Sequence, residues 1–148
     1  MIFQAHLLNE LEKLLKASRD KIAANLNTSQ KRFAAEVIGT FIVVVLGTSS
    51  VVIDAKFEGK LGLPFIAFAP FVGVVMGVYL FGKISMAHFN PTVTLAFLIT
   101  KHITKPQLLQ YFVAQITGAL LASLFVMSVV GTEASLGANT LTIPTHFR

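Results

Sequence analysis

Few residues in this chain could do chemistry, and most of them fall in one short stretch. His88, Asn90, Thr92 and Thr94 are polar groups set inside the otherwise apolar run Ile84 to Ile99. Asn90-Pro91 reads as the start of a helix. Asn is a favoured N-cap and Pro is favoured at the first helical position. The residues from Thr92 to Ile99 then suffice for about two turns, and Ser85 to Phe89 before them read as extended backbone. A loop entering an apolar segment, a cap, and a half-helix leading out would aim the positive end of the helix dipole at the middle of a membrane. Extended backbone at that depth is tolerated only where it is buried in protein or lines a wet cavity.

Two further polar residues sit inside apolar runs. Glu36 is the one charge in the run that begins at Phe33, and an ionisable residue in such a place is a functional candidate. No relay partner lies in its span, which favours support of the loop over proton transfer. Gln115 reads as a polar strut or as interhelical glue. His102 and His146 read as surface residues. There are no cysteines, and no His or carboxylate pair has metal-ligand spacing. No nucleophile, metal cluster or acid–base pair converges, so neither an enzyme nor a cofactor is expected.

The elements that would hold these residues are membrane spans. Of the 148 residues, 54% are hydrophobic and 13% are charged, against about a quarter charged in soluble domains. Apolar runs place spans at about residues 33–53, 61–82 and 108–130. The run between the last two, residues 84–99, is too short and too interrupted to cross, and so reads as re-entrant. Gly73 and Gly77 form a small-xxx-small pair, and Ala114, Gly118 and Ala122 repeat at four-residue spacing; both patterns predict close helix contact.

Residues 1–32 read as a separate amphipathic helical segment. Phe3, Leu7, Leu8, Leu11, Leu14, Leu15, Ile22 and Leu26 are near helical spacing, and Lys13, Lys16, Arg19 and Lys21 fill much of the other side. The segment suits an anionic leaflet surface, and the polar stretch Asn25 to Gln30 breaks its pattern. Met1 to Leu15 lacks the layout of a cleavable leader, since Glu10 and Glu12 interrupt it. The net charge of +5 flanks apolar runs, which argues for a membrane and against nucleic acid. Nine of the twelve Lys and Arg residues fall on the amino-terminal flank and around the re-entrant run, which three spans place on one side. The positive-inside rule makes that side cytoplasmic, giving a multi-pass cell-membrane protein with a cytoplasmic amino terminus.

The run Ser85-Met-Ala-His-Phe-Asn-Pro-Thr-Val-Thr-Leu-Ala96 resembles the first signature loop of the aquaporin and glycerol-facilitator family, whose usual form is Ser-Gly-Ala-His-x-Asn-Pro-Ala-Val-Thr. Ala35-Glu36-x-x-Gly39-Thr40-Phe41 is similar to the family's first helix, and Tyr111-Phe-Val-Ala-Gln115-x-x-Gly118-Ala119 to its third. The resemblance covers about Phe33 to Gly137. It implies an all-α membrane protein with three transmembrane helices and one re-entrant half-helix, residues 33–148 forming one half repeat of a channel. It further implies that Asn90, at the cap made with Pro91 and Thr92, donates hydrogen bonds into a pore. The carbonyls of Met86, Ala87 and His88 would line the cytoplasmic side, with Glu36 and Gln115 behind the loop. The cargo would be water or a small neutral solute, and family members assemble as tetramers.

Departures from the pattern carry information. Met86 stands where the family usually has Gly, and Thr92 where it has Ala. Counting back from Asn90, the second-helix position of the family's filter falls on Pro70, with Phe71 beside it, where a bulky aromatic is usual. A second Asn-Pro loop and a filter arginine are absent from these residues, and one half-helix cannot close a pore alone. The expectation is completion by a second half, separate or from a longer parent chain. A homo-oligomer with an inverted copy is the less favoured route, because it opposes the charge bias. A non-conducting truncated product or assembly partner is the competing reading.

Overall fold

The computed structural model describes residues 2–138, and four helices account for most of them: α1 (Ile2–Lys56), α2 (Gly62–Ser85), α3 (Pro91–Ile99) and α4 (Lys105–Val129). Stretches of α1, α2 and α4 are long and apolar enough to cross a bilayer: Thr28–Lys56, Gly62–Ser85 and Lys105–Val129, with mean hydropathy 2.1, 2.1 and 2.0. At 1.5 Å per residue the 24 residues of α2 measure roughly 36 Å, against a hydrocarbon core of about 30 Å. The nine residues of α3 reach only about 14 Å and cannot cross. The protein is therefore an all-α membrane protein with three spans and one half-helix.

The spans pack around α1. It packs along both α2 and α4, whose backbones do not run close to each other among the described residues, and α3 lies against α4. Small residues permit the close approach. A Cβ on Gly73 would lie 3.1 Å from the Val43 Cα of α1, and one on Gly118 would overlap the Val37 carbonyl and lie 3.1 Å from the Thr40 Cβ. Ala114, Gly118 and Ala122 are all buried. Gly77 serves a different purpose from the one its spacing predicts: its neighbour is the ring of Phe89, not a helix backbone.

The amino-terminal segment differs from the sequence reading. α1 runs through Asn25 to Gln30 without interruption. Ser, Thr and Asn weaken helices by offering the backbone other partners, and here two of those hydroxyls are engaged compatibly with the helix. Thr28 Oγ1 donates to the Ala24 carbonyl at 3.0 Å, and Ser29 Oγ donates to Gln110 Oε1 at 2.8 Å. In return Gln110 Nε2 donates to the Ser29 carbonyl at 2.7 Å, tying α1 to α4. The 55-residue helix measures about 82 Å and has no break at which residues 2–27 could turn onto a leaflet surface. Most side chains of the predicted apolar stripe lie outside the described ones; Leu14 is exposed. Residues 139–148 and the expectation of a surface His146 also lie outside the described part.

The span ends differ by a few residues for identifiable reasons. α4 begins at Lys105, not near 108, because Gln107 Oε1 accepts from the Thr104 amide at 2.9 Å and Pro106 occupies the first turn. On the opposite face, Asp54 Oδ1 accepts from the Leu61 and Gly62 amides at 3.0 and 2.8 Å and fixes the start of α2. Beyond α4, Ala134, Ser135 and Leu136 have φ of 48–58°, a left-handed turn that returns to α1 with Gly137 beside Val51.

Pro70 sits inside α2 and has no N–H for the Ile66 carbonyl one turn earlier. In a membrane that carbonyl needs another donor. The Ser50 hydroxyl of α1 is within reach of it at 3.3 Å, sharing its one proton with the nearer Gly47 carbonyl at 2.7 Å. Ser50→Ala is expected to lower stability by about 1–2 kcal/mol in thermal unfolding in detergent. Adding Pro70→Ala, which restores a backbone donor, should remove most of that loss; equal losses in both backgrounds would refute this account of Ser50.

Candidate functional site

α2 ends at Ser85 because Met86 adopts φ 68°, ψ 7°, the left-handed C-cap conformation, with its N–H on the Gly82 carbonyl at 3.0 Å. Ala87 and Phe89 also have positive φ, 52° and 49°. Three of the four residues from Met86 to Phe89 thus have positive φ, His88 being the exception, and the loop is not the extended strand expected. Left-handed backbone costs an L-residue about 1–2 kcal/mol, so this loop holds its shape only because its surroundings impose it.

Glu36 supplies much of that imposition. Its side chain is fully buried, and its two oxygens accept four hydrogen bonds. Oε1 accepts from Ser85 Oγ at 2.6 Å and the His88 amide at 3.0 Å; Oε2 accepts from the Phe89 amide and Gln115 Nε2, both at 2.8 Å. Every partner is a donor, which is what a carboxylate can use. Gln115 Nε2 also donates to Thr94 Oγ1 at 2.8 Å, so one network joins α1, the loop, α3 and α4. Tyr111, also buried, donates its hydroxyl to the Ser85 carbonyl at 2.8 Å, the link between α4 and the end of α2.

The His88 ring is a loop anchor. It is buried between Phe97 and Tyr111, with centroids 4.2 and 4.9 Å away. Its Nδ1 lies 3.1 Å from Thr94 Oγ1, which also lies 3.1 Å from the Asn90 carbonyl oxygen. Nε2 has no hydrogen-bond partner among the described residues.

Asn90 caps α3 as the sequence predicts. Its backbone is extended, φ −150° and ψ 130°, and its Oδ1 accepts from the Thr92 amide at 2.8 Å. Using the oxygen for the cap leaves the Nδ2 group without a partner among the described residues; Asn90, Pro91 and Thr92 are exposed. The far end of α3 closes with His102 N–H on the Phe97 carbonyl and Lys101 N–H on Leu98, Lys101 taking the left-handed position at φ 62°. Beside the cap lies a cleft of about 270 Å³ lined by Val43, Val74, Ala87, His88, Phe89, Asn90 and Val93.

The structure thus gathers Ala87, His88 and Asn90 at one cleft, with Glu36 and Gln115 behind them. Met86, Pro91 and Thr92 border the same loop and cap without lining the cleft. Pro70 and Phe71 are not among its lining residues: Pro70 faces Gly47 of α1, and Phe71 is 60% exposed and lies 5.9 Å from Phe68. Sequence reasoning missed Val43, Val74 and Val93, which are indistinguishable from lipid-facing valines, and it assigned Phe89 no role. Ser85 and Tyr111 were quoted only within motifs, although their polarity in apolar runs was the available signal; Thr94 was noted as polar but given no role.

Three spans around a polar network, with a short half-helix set between the second and third, define a membrane protein with a re-entrant element. The family model for the major intrinsic protein matches residues 23–146, and the chain belongs to that family. It is 40% identical over 109 residues to a glycerol uptake facilitator protein-like 6 from Lactiplantibacillus plantarum, covering 72% of this chain and 48% of the relative. It is 40% identical over 93 residues to aquaporin NIP1-1 from Zea mays, covering 63% and 33%. It is 35% identical over 127 residues to a probable aquaporin AqpM from Archaeoglobus fulgidus, covering 73% and 51%. The chain spans about half or less of the length of these relatives.

Glu36→Gln puts an NH2 group where two donors now point, and is expected to destabilise the fold by about 2–4 kcal/mol. Hydrogen exchange should quicken at the His88 and Phe89 amides well before the middle of α4; uniform acceleration would deny Glu36 a local role. Met86→Gly relieves a left-handed side chain and should raise stability by about 1 kcal/mol in the same unfolding assay.

Proposed function

We propose that this chain forms one half of a transmembrane channel for water or small neutral solutes, completed by a second half. The observation that carries the reading is Asn90: it lines the cleft and is exposed, and its oxygen is consumed by the cap of α3, so its amide Nδ2 group is the one left to donate there. A solute oxygen arriving there meets a fixed donor. The carbonyls of Met86, Ala87 and His88 would supply acceptors along the approach, and the positive end of α3 would raise the barrier to protons and cations. No charged side chain lines the cleft, which fits a neutral cargo. The names of the similar proteins, glycerol uptake facilitator and aquaporin, point to the same class of solute.

The uncovered side of the half-helix supports completion by another half. α3 is packed on α4, while Pro91, Thr92, Val93 and Leu95 are exposed. We take the partner to be a second repeat in inverted orientation, within a tetrameric assembly by family resemblance. The amino terminus is assigned to the cytoplasm, because Lys31, Arg32, Lys83, Lys101 and Lys105 crowd that end of the spans.

The test is stopped-flow swelling of vesicles that hold the chain alone or with a matching second half. Water or glycerol permeability should rise with the pair, and Asn90→Asp should abolish conduction or proton exclusion while leaving insertion intact. No gain under either condition would favour a non-conducting assembly partner. Glycosylation tags at the amino terminus should stay unmodified; modification would overturn the assigned orientation.

A further inference from the structure

We infer that Phe89 is a positioning residue: its ring, seated in a slot made by Gly39 of α1 and Gly77 of α2, sets how far the loop carries Asn90 into the cleft and so governs the size of solute admitted. This rests on the channel reading above and deepens it.

The slot is built from two helices. A Cβ on Gly39 would overlap the Phe89 ring outright, and one on Gly77 would lie 2.6 Å from its Cε2 and 3.2 Å from its Cζ. Contacts under 3 Å require one partner to move, so the ring occupies space that any residue larger than glycine would claim. Phe81 closes a further side, edge-on at 6.3 Å and 85°. The ring ends only 8% exposed. Glycine inside a helix is unfavourable, and both positions keep it where the ring touches them.

The other tethers of the loop leave a freedom that the ring removes. Hydrogen bonds from the His88 and Phe89 amides to Glu36 fix the backbone toward α1. They tolerate some tilt about the carboxylate, since acceptor geometry is broad. A flat ring clasped between two helix backbones cannot tilt or slide without overlap. Phe89 directly precedes Asn90, whose Cα lies about 3.8 Å further along the chain. The placement of the ring is therefore transmitted to the Asn90 amide. Phe89 is also one of the residues lining the cleft, with Val43, Val74 and Val93. A shorter side chain would let the loop settle toward α1 and open the cleft, while a Cβ in the slot would drive the ring outward and narrow it.

Two measurements test this together. On the chain alone in detergent, Gly77→Ala should lower the melting temperature by about 5 °C, and adding Phe89→Leu to the Gly77→Ala variant should recover at least half of the loss. In vesicles with the second half, Phe89→Leu should raise the glycerol-to-water permeability ratio severalfold. Gly77→Ala should lower the ratio, and the double variant should return it toward the starting value. A ratio that stays constant across variants that insert and conduct would overturn the positioning role, as would a melting loss that Phe89→Leu does not relieve. If the wild-type pair conducts nothing, the channel reading falls and the solute-size role falls with it; melting rescue would then identify the slot as a packing feature only.

Discussion

A single buried carboxylate holds this structure in register. Glu36 lies inside the first span, where an uncompensated charge would cost several kcal/mol. It is tolerated because four donors converge on it from three other parts of the chain: the end of α2, two loop amides, and Gln115 of α4. Those same donors would be orphaned in a membrane without it. The cost of burying the charge and the cost of burying an irregular loop offset each other. That reciprocity is why a loop with three left-handed, non-glycine residues persists between α2 and α3.

The packing logic is inverted relative to a soluble domain. Among the largest fully buried side chains are Tyr111, Gln115, Glu36, Thr94 and Ser85, while leucines, valines and phenylalanines of α2 and α4 are exposed. Apolar groups gain nothing by leaving lipid for protein, so close contact falls to glycine and alanine and specificity to polar groups. Pro70 illustrates the coupling of the two. It is acceptable inside α2 because Ser50 of α1 reaches the carbonyl that the proline leaves free.

Much of this was legible in the sequence, and the division follows range. The Asn90-Pro91 cap was readable because capping is decided within four residues, and the spans were readable because hydropathy is a sum over a window. The Thr104–Gln107 cap was equally local and could have moved the start of α4 to Lys105. What could not be read depended on distant partners. Ser85 to Phe89 looked extended because nothing nearby reveals that Glu36, some fifty positions away, draws two successive amides to one carboxylate. Gly77 looked like half of a helix-packing pair because spacing cannot tell a helix backbone from an aromatic ring as the neighbour. Asn25 to Gln30 looked like a break because its hydroxyl partners are an upstream carbonyl and a residue of α4.

The arrangement of the half-helix follows from the same constraints. α3 is too short to satisfy a membrane crossing, yet both of its ends are closed, by Asn90 at one and by the His102 and Lys101 amides at the other. It thus carries little unmet backbone demand into its exposed side, and what it does present there is specific: the Asn90 amide and the end of a helix dipole. Glu36, Gln115 and the His88 ring hold α3 from behind through α1 and α4, which leaves that front free of structural duties. A site whose supports all lie on one side can meet a partner or a solute on the other without losing its own shape.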